Sequence, residues 1–172
     1  MPNRSSEKSD QRHLRAAEGY LALEMYRHAL KELRCITTNE GDLHTIHLYK
    51  AEAYRGLQDW AAALAEFREY ARTKPGDLSS LLGIAWCQKR LGELSEAIGT
   101  MHDAYQAHPR EPVVLYNLSC YYALGGQTTQ ALSWLGRALR LQPDLRRLIE
   151  DETDFDPIRQ SPQFLKLLEL CA

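Results

Sequence analysis

The chain has no apolar run near the roughly 18 residues that a membrane-crossing helix needs; LLGIAWC at 81–87 is among its longest. The N-terminal stretch MPNRSSEKSDQRHLR is polar, carries both signs of charge and lacks the apolar core of a signal peptide. The expected compartment is the cytoplasm, without membrane insertion. Cysteine is sparse: Cys35, Cys87, Cys120 and Cys171 stand apart, with no C-x-x-C pair. Helix-like sequence around each favours free thiols over two disulfides. Charge is close to balance, and a net charge of -2 on 172 residues gives no general electrostatic grip on nucleic acid or anionic lipid.

Local signatures of catalysis are also missing. There is no G-x-S-x-G, no glycine loop ending in lysine, no H-E-x-x-H and no zinc-type cysteine pair. The chain is therefore expected to be non-enzymatic, with no cofactor, no metal site and no catalytic residues.

What is present is ordinary for a folded domain and regular along the chain. Hydrophobic residues make up 44% and charged residues 26%, and the length suits one domain with a continuous core. Residues 1–9, polar and with three serines, read as a disordered arm. From Asp10 a period of about 34 residues takes over, giving units 10–43, 44–77, 78–111 and 112–145. One column reads Ala29, Ala63, Ala97, Ala131; others read Ala17, Ala51, Ala85, Ser119 and Tyr20, Tyr54, Gln88, Tyr122. Pro75, Pro109 and Pro143 close three units, and Gly41 stands in their place in the first.

Each unit predicts two amphipathic helices. In the last, Leu115, Leu118, Ser119 and Tyr122 share one face, and Ala131, Leu132, Leu135 and Ala138 share a face of the second helix. Small residues on both helices let the two backbones approach closely. Gly92 and Gly125-Gly126 suit the turns, and Asp59 and Asp77 stand where N-caps belong. The columns resemble the tetratricopeptide repeat family, as in small bacterial members. That resemblance implies an all-α fold, a right-handed α-solenoid of about four helix-turn-helix repeats with a C-terminal capping segment.

The cap is read at 146–172, within a single solenoid domain spanning 10–172. Leu145, Leu148 and Ile149 predict a short helix, and EDETDFDP a loop. Ser161-Pro162 then opens a last helix with Phe164, Leu165 and Leu168 on one face. A terminal helix with one polar side lets a solenoid stop stacking.

The resemblance places the first helices on the concave side, so their non-core positions form the expected peptide- or protein-binding surface. These are Arg15, Glu18, Tyr49, Glu52, Arg55, Trp86, Lys89, Tyr116, Asn117 and Cys120. Gly83, between Tyr49 and Asn117 in its column, is expected to leave a dent beside Trp86. Tyr49 and Trp86 read either as exposed anchors for a peptide or as rings packed between repeats. Asn117 matches a position where family members hold a peptide backbone. The carboxylate clamp of chaperone-binding members is not expected, because Leu14, Glu18, Leu82 and Trp86 occupy its positions. Arg15, Arg55 and Lys89 point towards an acidic ligand.

Three patterns imitate chemical sites. Glu18 and Glu52 share a column like an acid-base pair, but Arg15 and Arg55 balance them and a solvated groove face is the expected reading. His44 and His47 have a spacing that can share a metal, yet His47 falls in a packing column with His13, Leu81 and Leu115. The run Glu150, Asp151, Glu152, Asp154, Asp156 lacks the ordered glycine-containing loop of a calcium site and reads as a solvated loop. The function expected is a protein-interaction adaptor or scaffold. The alternative is a self-assembling homo-oligomer, joined through the groove or the terminal helix.

Overall fold

The computed structural model describes residues 4–37 and 43–170; Gly41 and Cys171 lie outside them. Among the described residues there are ten α-helices and no strand. The chain forms two compact units, Met1–Leu91 and Gly92–Ala172. The first holds α1 (Arg4–Ala22), α2 (Tyr26–Arg34), α3 (Leu43–Gly56), α4 (Trp60–Thr73) and α5 (Leu78–Arg90). The second holds α6 (Leu94–Ala107), α7 (Pro112–Leu124), α8 (Thr128–Leu141), α9 (Arg146–Ile149) and α10 (Pro162–Leu170), with 3-10 turns at Pro143–Leu145 and Thr153–Phe155.

The small-residue columns are fully buried at every helix crossing of the repeats. Ala29, Ala63, Ala97 and Ala131 are each 0% exposed, and so are Ala17, Ala51, Ala85 and Ser119. A larger side chain there would overpack the helix crossing, at about 1–3 kcal/mol. In the first unit, Ala17, Ala29, Leu33 and Ile46 form one core cluster. Ala51, Ala63, Leu64, Phe67, Ile84 and Cys87 form another. In the second unit, Met101, Leu115, Leu118, Tyr121 and Leu135 are buried.

Helix ends follow from local chemistry. Asp59 accepts the amide of Ala62 at 3.1 Å and Asp77 that of Ser80 at 3.0 Å, so both cap as expected. The hairpin turns repeat a left-handed residue: Glu24 (φ 56°), Gln58 (60°), Gly92 (82°) and Gly126 (71°). After Glu24, Gln58 and Gly126 the next amide closes a bond five residues back, Met25 to Tyr20 at 2.8 Å, Asp59 to Tyr54 at 2.9 Å and Gln127 to Tyr122 at 2.8 Å. This satisfies a carbonyl that the helix end leaves open.

Two stretches differ from expectation. Residues 4–9, read as part of a disordered arm, belong to α1. Leu14 and Ala17 anchor that helix in the core, and extending it backwards meets neither proline nor glycine. The acidic stretch 150–156 is only partly solvated. Asp154 is buried and Phe155 is 0% exposed, because Phe155 packs edge-on against Tyr116 at 5.9 Å and at a tilt against Phe164 at 5.5 Å. Arg159 holds this segment by donating to the carbonyls of Ile149 (3.1 Å) and Glu152 (2.7 Å). The cap of α10 is as expected, with Ser161 Oγ accepting the Phe164 amide at 3.2 Å, but Leu165 faces outward. Among the described residues Cys35, Cys87 and Cys120 form no disulfide.

Candidate functional site

The first unit contains a hollow of about 570 Å³. Its walls come from the first helices of three successive hairpins: Glu18, Leu21 and Ala22 of α1, Leu48, Tyr49, Glu52, Arg55 and Gly56 of α3, and Ser79 and Trp86 of α5. Glu24 of the α1–α2 turn and Tyr26 at the start of α2 complete it. The Tyr26 ring lies on Gly56, in space that any side chain on Gly56 would occupy.

Five of the ten candidate residues line this hollow: Glu18, Tyr49, Glu52, Arg55 and Trp86. Their polar groups are partnered within the wall. The Tyr49 hydroxyl donates to Glu18, and its pKa is raised by burial first and by the Glu18 charge second. Arg55 Nε donates to Glu52 Oε2 at 2.8 Å, and the guanidinium lies over the Trp86 ring at 5.6 Å. Trp86 is half-buried and meets Trp60 edge-on at 4.9 Å. It is thus both a packed ring and a wall of the hollow. Beneath, the Cys87 thiol is pushed up to about 11 by burial, with Arg55 opposing the shift.

The other candidates stand elsewhere. Arg15 is exposed on α1, where it lines a second hollow with Lys8, Gln11 and Arg12. Lys89 is half-buried on α5, and Asn117 half-buried on α7. Tyr116 and Cys120 are corrected: they are not open groove positions but 6% and 1% exposed. The 3-10 turn with Phe155 covers them, and burial raises the Tyr116 pKa. The dent expected at Gly83 is also corrected. A Cβ there would lie 2.5 Å from Phe67 Cε1, so the chain's own phenylalanine fills the space.

Sequence reasoning missed Leu21, Ala22, Glu24, Tyr26, Gly56 and Ser79 as part of the hollow. Glu24 had a signal, since it shares its column with Gln58, Gly92 and Gly126. Tyr26 and Gly56 had none in the sequence; the structure shows that their columns meet, and one period on the same columns bring Trp60 and Arg90 together, with the guanidinium over the ring at 5.0 Å.

The patterns that imitate metal sites resolve differently. His47 Nδ1 lies 2.6 Å from Glu66 Oε2, and His13 Nδ1 lies 2.7 Å from Glu32 Oε2. These pairs tie the two helices of each of the first two hairpins together. Cys120, Glu152 and Asp154 bring ligand-type atoms within 4.8 Å of one another. One Glu152 oxygen already accepts the Asp154 amide at 3.1 Å as the cap of the 3-10 turn. No helix among the described residues is long and apolar enough to cross a membrane.

Comparison with known proteins bears out the family resemblance. A tetratricopeptide repeat family model matches residues 79–110. Solved structures share the fold over most of the chain. A MamA protein structure aligns with a TM-score of 0.79 at 10% identity, covering 96% of this chain and 91% of that one. The 41-end segment of MamA from Desulfovibrio magneticus RS-1 gives 0.73 at 16% identity, covering 94% of each. YrrB, described as a TPR protein with an unusual peptide-binding site, gives 0.71 at 22% identity, covering 86% and 75%. No match was found among curated protein sequences. The fold class is therefore the all-α tetratricopeptide solenoid, with one repeat matched directly in sequence.

Proposed function

We propose that the chain is a non-catalytic interaction module that receives a segment of another polypeptide in the hollow of its first unit. The observation that carries this reading is the hollow itself, about 570 Å³, with apolar walls from Leu21, Leu48 and Trp86 and polar groups at Glu18, Glu52 and Arg55. Mixed walls of that kind suit a peptide, burying its side chains and bonding its backbone. The helices stand fixed before a ligand arrives, so little receptor order is lost on binding. The peptide-binding site that names YrrB supports the same reading for a shared fold. Tyr49 and Trp86 serve as ring surfaces in this scheme, and Glu18, Glu52 and Arg55 set orientation. Arg15, Lys89 and Asn117 fall outside the hollow and are kept as flanking contacts only.

A second reading, self-assembly, has its own support in the second unit. Leu141, Leu148, Leu165 and Leu170 are 46–75% exposed near the end of the chain, and exposed apolar side chains are where copies of a protein can associate. One experiment separates the two readings. Tagged wild-type protein and the Ala22→Trp variant, whose indole fills the mouth of the hollow from an exposed position, are used to capture partners from a lysate of the source organism and from untagged copies of the chain. The peptide-module reading expects a foreign partner retained by wild type and lost by the variant, with unchanged far-UV circular dichroism. A partner held equally by both sinks it. Recovery of the untagged chain alone, by both proteins, favours self-assembly.

A further inference from the structure

The lining of the hollow has a sign. It carries three carboxylates, Glu18, Glu24 and Glu52, and one guanidinium, Arg55. Arg55 is committed within the wall, bonded to Glu52 and laid over Trp86. The partner of Glu18 is a phenol, which satisfies a lone pair and leaves the negative charge in place. Glu24 is exposed on its turn. Of the three cations that pointed to an acidic ligand, Arg15 and Lys89 do not line this hollow, and Arg55 is already engaged by Glu52.

We propose that the hollow selects a polypeptide stretch bearing lysine or arginine, an extension that rests on reading it as a peptide site. A basic side chain suits both kinds of wall. Its methylene stem lies along Leu21, Leu48 and the Tyr26 ring, and its charged head reaches Glu18 and Glu24 near the mouth. An acidic stretch meets like charge in a partly enclosed space, where water screens it less than at an open surface. Selection by charge complementarity also predicts faster association at low salt.

The test uses the full-length protein and a phage-displayed library of random peptides. The pool selected on wild type is expected to contain more lysine and arginine than aspartate and glutamate. A synthetic copy of an enriched peptide, followed by fluorescence anisotropy, should bind the Glu18→Gln/Glu24→Gln double variant about tenfold more weakly, with a shallower dependence on salt. Both substitutions are at exposed positions and keep side-chain shape, and the amide oxygen that replaces the Glu18 carboxylate can still accept from Tyr49. A pool without basic excess, or an affinity unchanged in the double variant, overturns the charge selection and leaves the peptide site standing. If wild type enriches nothing beyond what Ala22→Trp enriches, the peptide-site reading falls, and the charge selection falls with it.

Discussion

At the residue scale, the two histidine–glutamate pairs are the most specific contacts in the first two hairpins. His13 and Glu32 are spaced as His47 and Glu66 are, and each side chain is 19–26% exposed. A carboxylate so placed needs its partner, because water reaches it only in part. The third repeat has Leu81 and Thr100 in these columns, so the repeat itself accepts an uncharged combination there. His47→Leu alone should therefore destabilise by about 1–2 kcal/mol, leaving Glu66 without its bond. The double variant His47→Leu/Glu66→Thr should recover at least half of that loss. Urea unfolding of wild type, both single variants and the double gives the coupling directly, and strictly additive losses would refute it. The histidine column was legible in the sequence as a packing column. Its glutamate partners were not, since nothing in the helical period says which residue of a second helix faces a given residue of the first.

At the element scale, the hairpin turns carry the strain. Glu24 and Gln58 take the left-handed conformation that Gly92 and Gly126 take in the same column. A side chain in that conformation costs roughly 1 kcal/mol, which glycine avoids, though glycine gives back part of the gain by loosening the unfolded chain. Gln58→Gly should thus stabilise by up to about 0.5 kcal/mol, seen as a higher thermal midpoint with the helix content unchanged. A lower midpoint would mean that the Gln58 side chain makes a contact worth more than the strain. The glycines of the third and fourth turns showed this geometry in the sequence; Glu24 and Gln58 concealed it. Gly83 teaches the reverse, because a glycine that read as an empty place is a close contact for the Phe67 ring. A missing side chain marks space, and the rest of the chain decides whether that space stays open.

At the scale of the whole molecule, the groups displaced by burial among the described residues all shift the same way. Cys87 is pushed from 9.0 up to about 11, and Tyr49, Tyr70 and Tyr116 are raised above 10.0, with burial the largest cause for each. A raised acid holds its proton more tightly folded than unfolded. Its stabilising effect is complete below the unfolded pKa and is lost as pH rises through the folded one. Stability should therefore be flat on this account to about pH 9 and fall above it, first through the cysteine and then through the tyrosines. Urea midpoints across that range measure the fall. Cys87→Ala should flatten its first part, between about pH 9 and 11, and an equally steep decline in that variant would assign the loss to other groups.

The sequence by itself determined the repeated part of this protein: the helix pairs, the alanine columns at their crossings, the aspartate caps and the turns. Each depends on residues a few positions apart, or one hairpin apart, so a single period displays them all. Tertiary structure alone decided what becomes of the surface between those columns. It laid Tyr26 on Gly56, put Phe67 into the place left by Gly83, and brought Glu18, Glu24 and Glu52 to one hollow. It also folded Phe155 over Tyr116, closing positions whose counterparts Leu48 and Glu52 line that hollow. The physical reason is that these contacts join side chains of different size from elements outside the period, and only the packed chain shows which of them fills a gap and which leaves one open.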